Sequence, residues 1–223
     1  MAYDFNGSNQ YLQVGSAVLT EAPITFACWF NMDSTSANQV LVSITNSGEL
    51  VGGGITRFAV LAAGGVAGDP IRAIASNTLN ANGIAETSSG YSATTWHHAC
   101  GVFASTTSRT AYIDGGSSGI NATSITPTEL NRTNIGVQFL NGVGGTSGTG
   151  FSDGRIAEVG IWNVALTSEE IGSLADGITC DKVRPNSLVF YAPLVRNLQD
   201  VRGGLTITNN NTATVAVHPR VYP

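Results

Sequence analysis

Apolar and polar positions alternate along most of this chain with the period of two that marks β-strands. The clearest run is Ile156–Asn163, where Ile156, Glu158, Gly160 and Trp162 interleave with Ala157, Val159, Ile161 and Asn163. Apolar residues occupy both registers, so the run is expected to be covered on both faces. Then the period changes. Thr167 is a good helix N-cap, with Glu170 three residues on to complete a capping box. Leu166 and Ile171 stand at the two positions of a hydrophobic staple, and Gly177 can end the helix in a left-handed conformation. Asp153-Gly154, before the run, reads as a tight turn.

The same reading along the chain predicts roughly a dozen short strands. Tyr3–Val14 is a strand pair turning at Asn6–Asn9, and Ile24–Phe30, Gln39–Thr45, Trp96–Phe103 and Ser187–Leu194 are strongly β-forming. Asn46-Ser47-Gly48 should turn the second of these. Shorter candidates are Arg57–Leu61, Ile71–Ala75, Gly83–Glu86, Thr110–Ile113, Asn134–Val137, Leu205–Thr208 and Thr214–Val217. Asp114-Gly115 is a hairpin signal. Ala62–Pro70 reads as a loop, and glycine-rich Asn141–Gly150 as a flexible one. No repeat or long linker divides the chain. The residues alone give an all-β, layered, single-domain protein with one short helix.

Composition narrows the functions. Of 223 residues 42 % are hydrophobic, enough for a sizeable core, yet only 11 % are charged, against ~25 % in ordinary soluble domains. Ten basic and fifteen acidic residues give a net charge of −5, and no basic stripe for nucleic acid or an anionic membrane. No run reaches the ~18 apolar residues of a membrane helix, and no signal peptide is visible at the start. Cys28, Cys100 and Cys180 lack CxxC spacing and read as buried free thiols.

Candidate chemistry is sparse. His97 and His98 are adjacent on a strand, so their side chains point to opposite faces and cannot share one metal ion; one should pack in the core with a satisfied hydrogen bond, the other lie exposed. Glycoside hydrolysis needs two carboxylates ~5–9 Å apart. Glu158 has no acidic neighbour, Glu170 is explained as a cap, and Asp33, Glu49 and Asp69 are isolated in turns. Serines are plentiful, so counting does not exclude a Ser/His/Asp site, but no GxSxG elbow joins a strand to a helix. Gly52–Gly54 and Gly144–Gly150 lack the lysine and helix of a phosphate cradle. Sugar binding needs an aromatic to stack on and polar groups for hydroxyls. Tyr91, Phe139 and Phe151 flank loops and are the candidate stacking residues. The competing reading makes them core or rim.

The segments FNGSNQYLQV, ITFACWF, TWHHACGVF, RTAYIDGG and GRIAEVGIWNVALTSEEI together resemble the laminin-G-like domains of the concanavalin A-like lectin/glucanase superfamily, from Tyr3 to about Ala175. The resemblance implies an antiparallel jelly-roll β-sandwich over residues 1–180, with one short helix after the last strand of the module. Calcium-binding members carry acidic residues in the first turn and just before the Glu of the last strand. Here those positions hold Asn6, Asn9, Gln10 and Ala157, so no strong calcium site and no cofactor is expected.

Residues 181–223 form an extension, of which at least 187–194 should pack with the sandwich. Its RPNSLVFYAPL and closing HPRVYP resemble the tails of such domains in bacteriophage and marine microbial proteins. The apolar-aromatic end, Val221 and Tyr222, would contact a partner or fold back over an edge strand of its own sandwich. The expectation drawn from these features is a non-enzymatic virion surface protein, such as a capsid decoration of a tailed phage, made in a cytoplasm without an export signal. Its partners would be other virion proteins, further copies of itself or a host-surface carbohydrate. The alternative is a lectin-like carbohydrate-binding module.

Overall fold

The β-forming runs become two antiparallel sheets stacked as a jelly-roll sandwich in a computed structural model describing residues 1–46, 56–79, 81–142, 145–195 and 197–222. In chain order the first strands are β1 (Ala2–Asn6), β2 (Tyr11–Val14), β3 (Ile24–Met32), β4 (Asn38–Thr45), β5 (Arg57–Ala63), β6 (Pro70–Ser76) and β7 (Asn82–Gly90). There follow β8 (His97–Ser105), β9 (Ser108–Ile113), β10 (Gly116–Asn121), β11 (Arg132–Ile135), β12 (Gln138–Gly142), β13 (Gly145–Thr149) and β14 (Asp153–Trp162). Helix α1 (Ser168–Ala175) and a 3₁₀ turn (Cys180–Lys182) precede β15 (Leu188–Ala192), β16 (Ile207–Asn210) and β17 (Thr214–Ala216).

One sheet has eight strands, ordered β10-β9-β8-β3-β14-β1-β17, with β15 also pairing with β14. The other has seven, ordered β16-β2-β11-β4-β5-β6-β7, and β12 with β13 makes a separate hairpin. Alternation sends one set of side chains between the sheets. Phe26, Phe30 and Met32 of β3 meet Leu12, Val42, Ile44, Phe58 and Val60 there. Phe103 packs edge-on against both Phe26 and Phe58, with ring centroids 5.8 and 5.0 Å apart. β6 and β7, short candidates in the sequence, are full strands because Ile71, Ala73, Ala75 and Ala85 project into this core.

The outer face of the eight-stranded sheet carries a second apolar layer, which accounts for the double apolar register of β14. Ala27, Cys100, Val102 and Trp162 lie beneath Leu166, Ile171 and Leu174 of the helical segment. Trp162 is fully buried and its indole N–H donates to the Val183 carbonyl at 2.8 Å. The capping box is present: Thr167 accepts from the Glu170 amide at 3.4 Å, and Glu170 accepts from the Thr167 amide at 2.9 Å. Gly177 follows the helix at φ +97°. No helix among the described residues is long and apolar enough to cross a membrane.

Three expectations are corrected. Asp153-Gly154 is no turn but the start of β14: a Cβ on Gly154 would lie 2.4 Å from the Asn31 carbonyl, so glycine lets β3 approach closely. The glycine-rich segment is a hairpin rather than a loop, since Phe139 pairs with Gly148 and Leu140 with Ser147. Among the described residues seventeen strands are seen where about a dozen were predicted; the extra ones, such as GSSGIN in β10 and GTSGT in β13, are rich in Gly and Ser and depend on their neighbours. The turn at Asn46-Ser47-Gly48 runs outside the described residues, as do Glu49 and Gly52–Gly54.

Residues after the helix weave into both sheets. β15 joins β14, β16 pairs with β2 and forms the edge of that sheet, and β17 pairs with β1. Tyr222 then bridges Ile178, its amide donating to Gly177 at 2.7 Å.

Candidate functional site

The outer face of the seven-stranded sheet is built differently. In β2, Leu12 and Val14 face the core, so alternation turns Tyr11 and Gln13 outward. The β12–β13 hairpin brings Phe139 edge-on to Tyr11, with ring centroids 5.4 Å apart and planes at 77°. Phe151, just before β14, completes the group at 6.3 Å from Tyr11. All three are partly exposed. Gly148 is what allows this: a Cβ there would come within 2.6 Å of the Phe151 ring. The result is an apolar platform of three rings on a face that elsewhere buries a small cluster of Val40, Ala59, Leu61 and Ile74.

Polar side chains adjoin it in ordered rows. Gln13 donates to Asn134 at 2.9 Å, and Asn134 donates to Thr45 at 3.1 Å and Ser43 at 3.3 Å. Register places Thr208 beside Gln13 and Asn210 beside Tyr11 on the same face. Behind the hairpin, Arg57 donates to Gln138 and, at 3.1 Å, to Ser76. Burial lowers the Arg57 pKa to about 10, which leaves it charged at neutral pH. Each fixed amide holds its neighbour in one orientation, as a surface selecting hydroxyls needs.

Of the three aromatics expected to stack on sugar, Phe139 and Phe151 are therefore brought together, and Tyr91 is not. Tyr91 is only 4 % exposed, packs on Phe30 and donates its hydroxyl to the Ser34 carbonyl at 3.2 Å. Burial is the main reason its pKa rises to about 12. It is a core residue. Tyr11, the central ring of the platform, escaped notice in the sequence; the available signal was the face of YLQV opposite Leu12 and Val14. At the other end of the chain, the Tyr222 backbone is held by its own chain while its ring is 46 % exposed, and Val221 is partly buried.

The histidines do take opposite faces, but satisfaction is reversed. His98 is 2 % exposed, lies against the Trp29 ring, and its Nδ1 has no hydrogen-bond partner among the described residues. Burial lowers its pKa to about 4, with Asp114 opposing. The ring stays neutral. The partly exposed His97 is the one with hydrogen bonds, to Asp114 and Ser92.

Glu158 occupies a bulge in β14 at φ +53° and is 4 % exposed, held by the Tyr191 hydroxyl at 2.5 Å and His218 at 3.0 Å. It anchors the C-terminal segment. Among the described residues no group of three or more His, Cys, Asp or Glu is arranged to hold a metal. In the first turn, Asn6 Oδ1 accepts the Ser8, Asn9 and Gln10 amides, and Gln10 donates to the carbonyls of Asn211 and Thr212. The three cysteines are free and buried, and burial raises each thiol pKa, so none is a ready nucleophile. A cleft of about 270 Å³ lined by Glu21, Phe58, Ser105, Ile125 and Pro127 offers no exposed ring for stacking, since Phe58 is 3 % exposed.

Comparison with known proteins agrees with the sandwich. A heptameric SAP-like pentraxin from Limulus polyphemus superposes with a TM-score of 0.67 at 14 % identity, covering 97 % of this chain and 94 % of that one. Domain 4 of AbnA, a GH43 extracellular arabinanase from Geobacillus stearothermophilus solved with arabinotriose, gives 0.56 at 14 % identity over 78 % and 76 %. CBM40 of the Ruminococcus gnavus IT-sialidase, bound to α2,3-sialyllactose, gives 0.57 at 10 % identity over 78 % and 98 %. At these identities the likeness is one of fold. No curated protein sequence matches the chain. The comparisons lend no support to a virion-surface role. A laminin-G family model described as concanavalin A-like lectin/glucanases superfamily matches residues 6–172, three quarters of the sequence, and the chain belongs to that family.

Proposed function

We propose that this protein is a lectin-like carbohydrate-binding module whose ligand stacks on Tyr11, Phe139 and Phe151. The observation that carries the reading is the exposed ring platform beside fixed amides and hydroxyls, on a fold that holds sugars in two of its structural neighbours. Sugar rings present an apolar face to an aromatic and hydroxyls around the edge, which Gln13, Thr208 and Asn210 complement while buried Asn134 holds Gln13 in place. The groups nearest the rings are neutral, which favours an uncharged saccharide. A glycan array that includes arabinan fragments and sialylated lactose tests this. Wild-type protein should bind neutral oligosaccharides, and Tyr11→Ala should lose at least about tenfold in affinity while melting as a folded protein. Equal binding by wild type and Tyr11→Ala would remove the platform from the account.

A further inference from the structure

Three residues of different chemistry meet at one rim of the sandwich. Ser92 follows Tyr91, His97 opens β8, and Asp114 forms the β9–β10 turn at φ +48° with Gly115 at +74°. His97 Nδ1 lies 2.7 Å from Asp114 Oδ2, and Asp114 Oδ1 accepts the His98 amide at 2.8 Å. On the other side of the ring, Ser92 Oγ is 3.0 Å from Nε2. The Ser92 amide also points at Nε2, from 3.1 Å. An amide N–H can only donate, so in the neutral ring Nε2 carries the lone pair and Nδ1 carries the proton, directed at Asp114. That tautomer is the one a general base for the serine requires, with the single Nε2 lone pair shared between the Ser92 amide and its hydroxyl.

The rim is also rigid. The His97 ring lies against Phe30 at 5.8 Å, and Phe30 packs edge-on against Tyr91 at 5.5 Å. The Tyr91 amide donates to Asp69 at 3.0 Å and the Thr94 amide to Met32 at 2.8 Å, pinning both ends of the serine turn. Partial burial works against the Asp114 charge, but the hydrogen bonds from His97 and the His98 amide hold its carboxyl below the usual range. Ser92 itself is exposed. A hydroxyl fixed on a base, which is fixed in turn on a carboxylate, is a nucleophile's setting rather than a solvated turn.

We propose that Ser92 is a nucleophile toward small activated esters, with His97 its general base and Asp114 the group that orients the base. In the step this geometry allows, the Ser92 oxygen bonds to the acyl carbon and its proton passes to His97 Nε2. The bond to the leaving alcohol breaks and that alcohol takes the proton; water then bonds to the acyl carbon, losing a proton to Nε2, the bond from that carbon to the Ser92 oxygen breaks to release the carboxylic acid, and Nε2 returns the proton to Ser92. The residues lining the cleft of about 270 Å³ do not include this rim, so the substrate is one that brings its own reactivity, such as an acetyl ester of a good leaving group. This goes beyond the sugar-binding reading and stands or falls separately from it.

The test is to treat the intact protein with a fluorophosphonate reagent and map the adduct by peptide mass spectrometry. Labelling should fall on Ser92, on the order of 100-fold faster than on any other serine, the scale of general-base assistance. It should vanish in Ser92→Ala and slow at least tenfold in Asp114→Asn, a change that keeps the turn because asparagine tolerates positive φ. Adducts spread over surface serines, or an unchanged Ser92 rate in a folded Asp114→Asn, would overturn the proposal. Should that variant fail to fold, the wild type and Ser92→Ala are compared on p-nitrophenyl acetate, where equal rates overturn it. Glycan binding by Ser92→Ala should be unaltered.

Discussion

The two outer faces of this sandwich are finished in opposite ways. On the eight-stranded sheet, Ala27, Cys100, Val102 and Trp162 are sealed under α1 and the 3₁₀ turn. On the seven-stranded sheet, Tyr11 and Gln13 lie partly exposed on the outer face, next to buried Asn134, Ser43 and Thr45 and to a small buried apolar patch of Val40, Ala59, Leu61 and Ile74. One face is apolar and closed, so its side chains contribute to stability. The other is aromatic and polar and partly open, so its side chains are placed to meet something else. The difference teaches where to look for function: beyond the core, substitutions on the sealed face should cost folding energy, and substitutions on the open face should cost binding.

The largest expected effect is on the sealed side. Trp162→Ala removes a fully buried indole and its hydrogen bond to Val183, which should cost about 3–5 kcal/mol in a denaturant melt. A loss below about 1 kcal/mol would mean that the helical layer is loosely held and the contrast between the faces is false.

Acid should act next, through His98. Its folded pKa of about 4 lies below the ~6.5 of a free imidazole. Between those values the unfolded chain binds a proton that the folded chain refuses. The stability associated with the neutral ring is therefore complete above about pH 6.5 and is lost as pH falls through 4, on the order of 3 kcal/mol. Melts of wild type from pH 7 to 4 should show this fall, and His98→Leu should show a shallower one. Parallel curves would mean that water or a charge reaches the ring.

The smallest effect concerns the edge of the sealed layer. Thr167→Ala removes one half of the capping box and should lower stability by about 1 kcal/mol. If its melt overlays the parent, packing of Ile171 and Leu174 holds the helix without its cap.

What could be read from the sequence followed the reach of each interaction. The helix was legible to the residue because Thr167, Glu170, Leu166, Ile171 and Gly177 all act within one or two turns of chain. The double apolar register of β14 announced a covered outer face for the same local reason. The hairpin was not legible: glycines that read as flexibility are there because Phe139 and Phe151 need the space beside Gly148. The ring platform joins positions 11, 139 and 151, and no local pattern pairs them. Tyr91 shows the converse, an aromatic beside a loop that the fold turns inward against Phe30. At the rim, His97 and Asp114 were visible as a strand residue and a turn residue, but only the pairing of β8 with β9 sets them 2.7 Å apart.

The claim that the open face is the binding face is tested most directly by nuclear magnetic resonance. Isotope-labelled protein is titrated with the glycan that binds most tightly on the array, and shift changes are mapped onto the two faces. The account expects them to gather on Tyr11, Gln13, Phe139, Phe151 and Thr208 and to spare Trp162, Ile171 and Leu174. Changes centred on the helical layer or the Ser92 rim, or none at the five open-face residues, would contradict it.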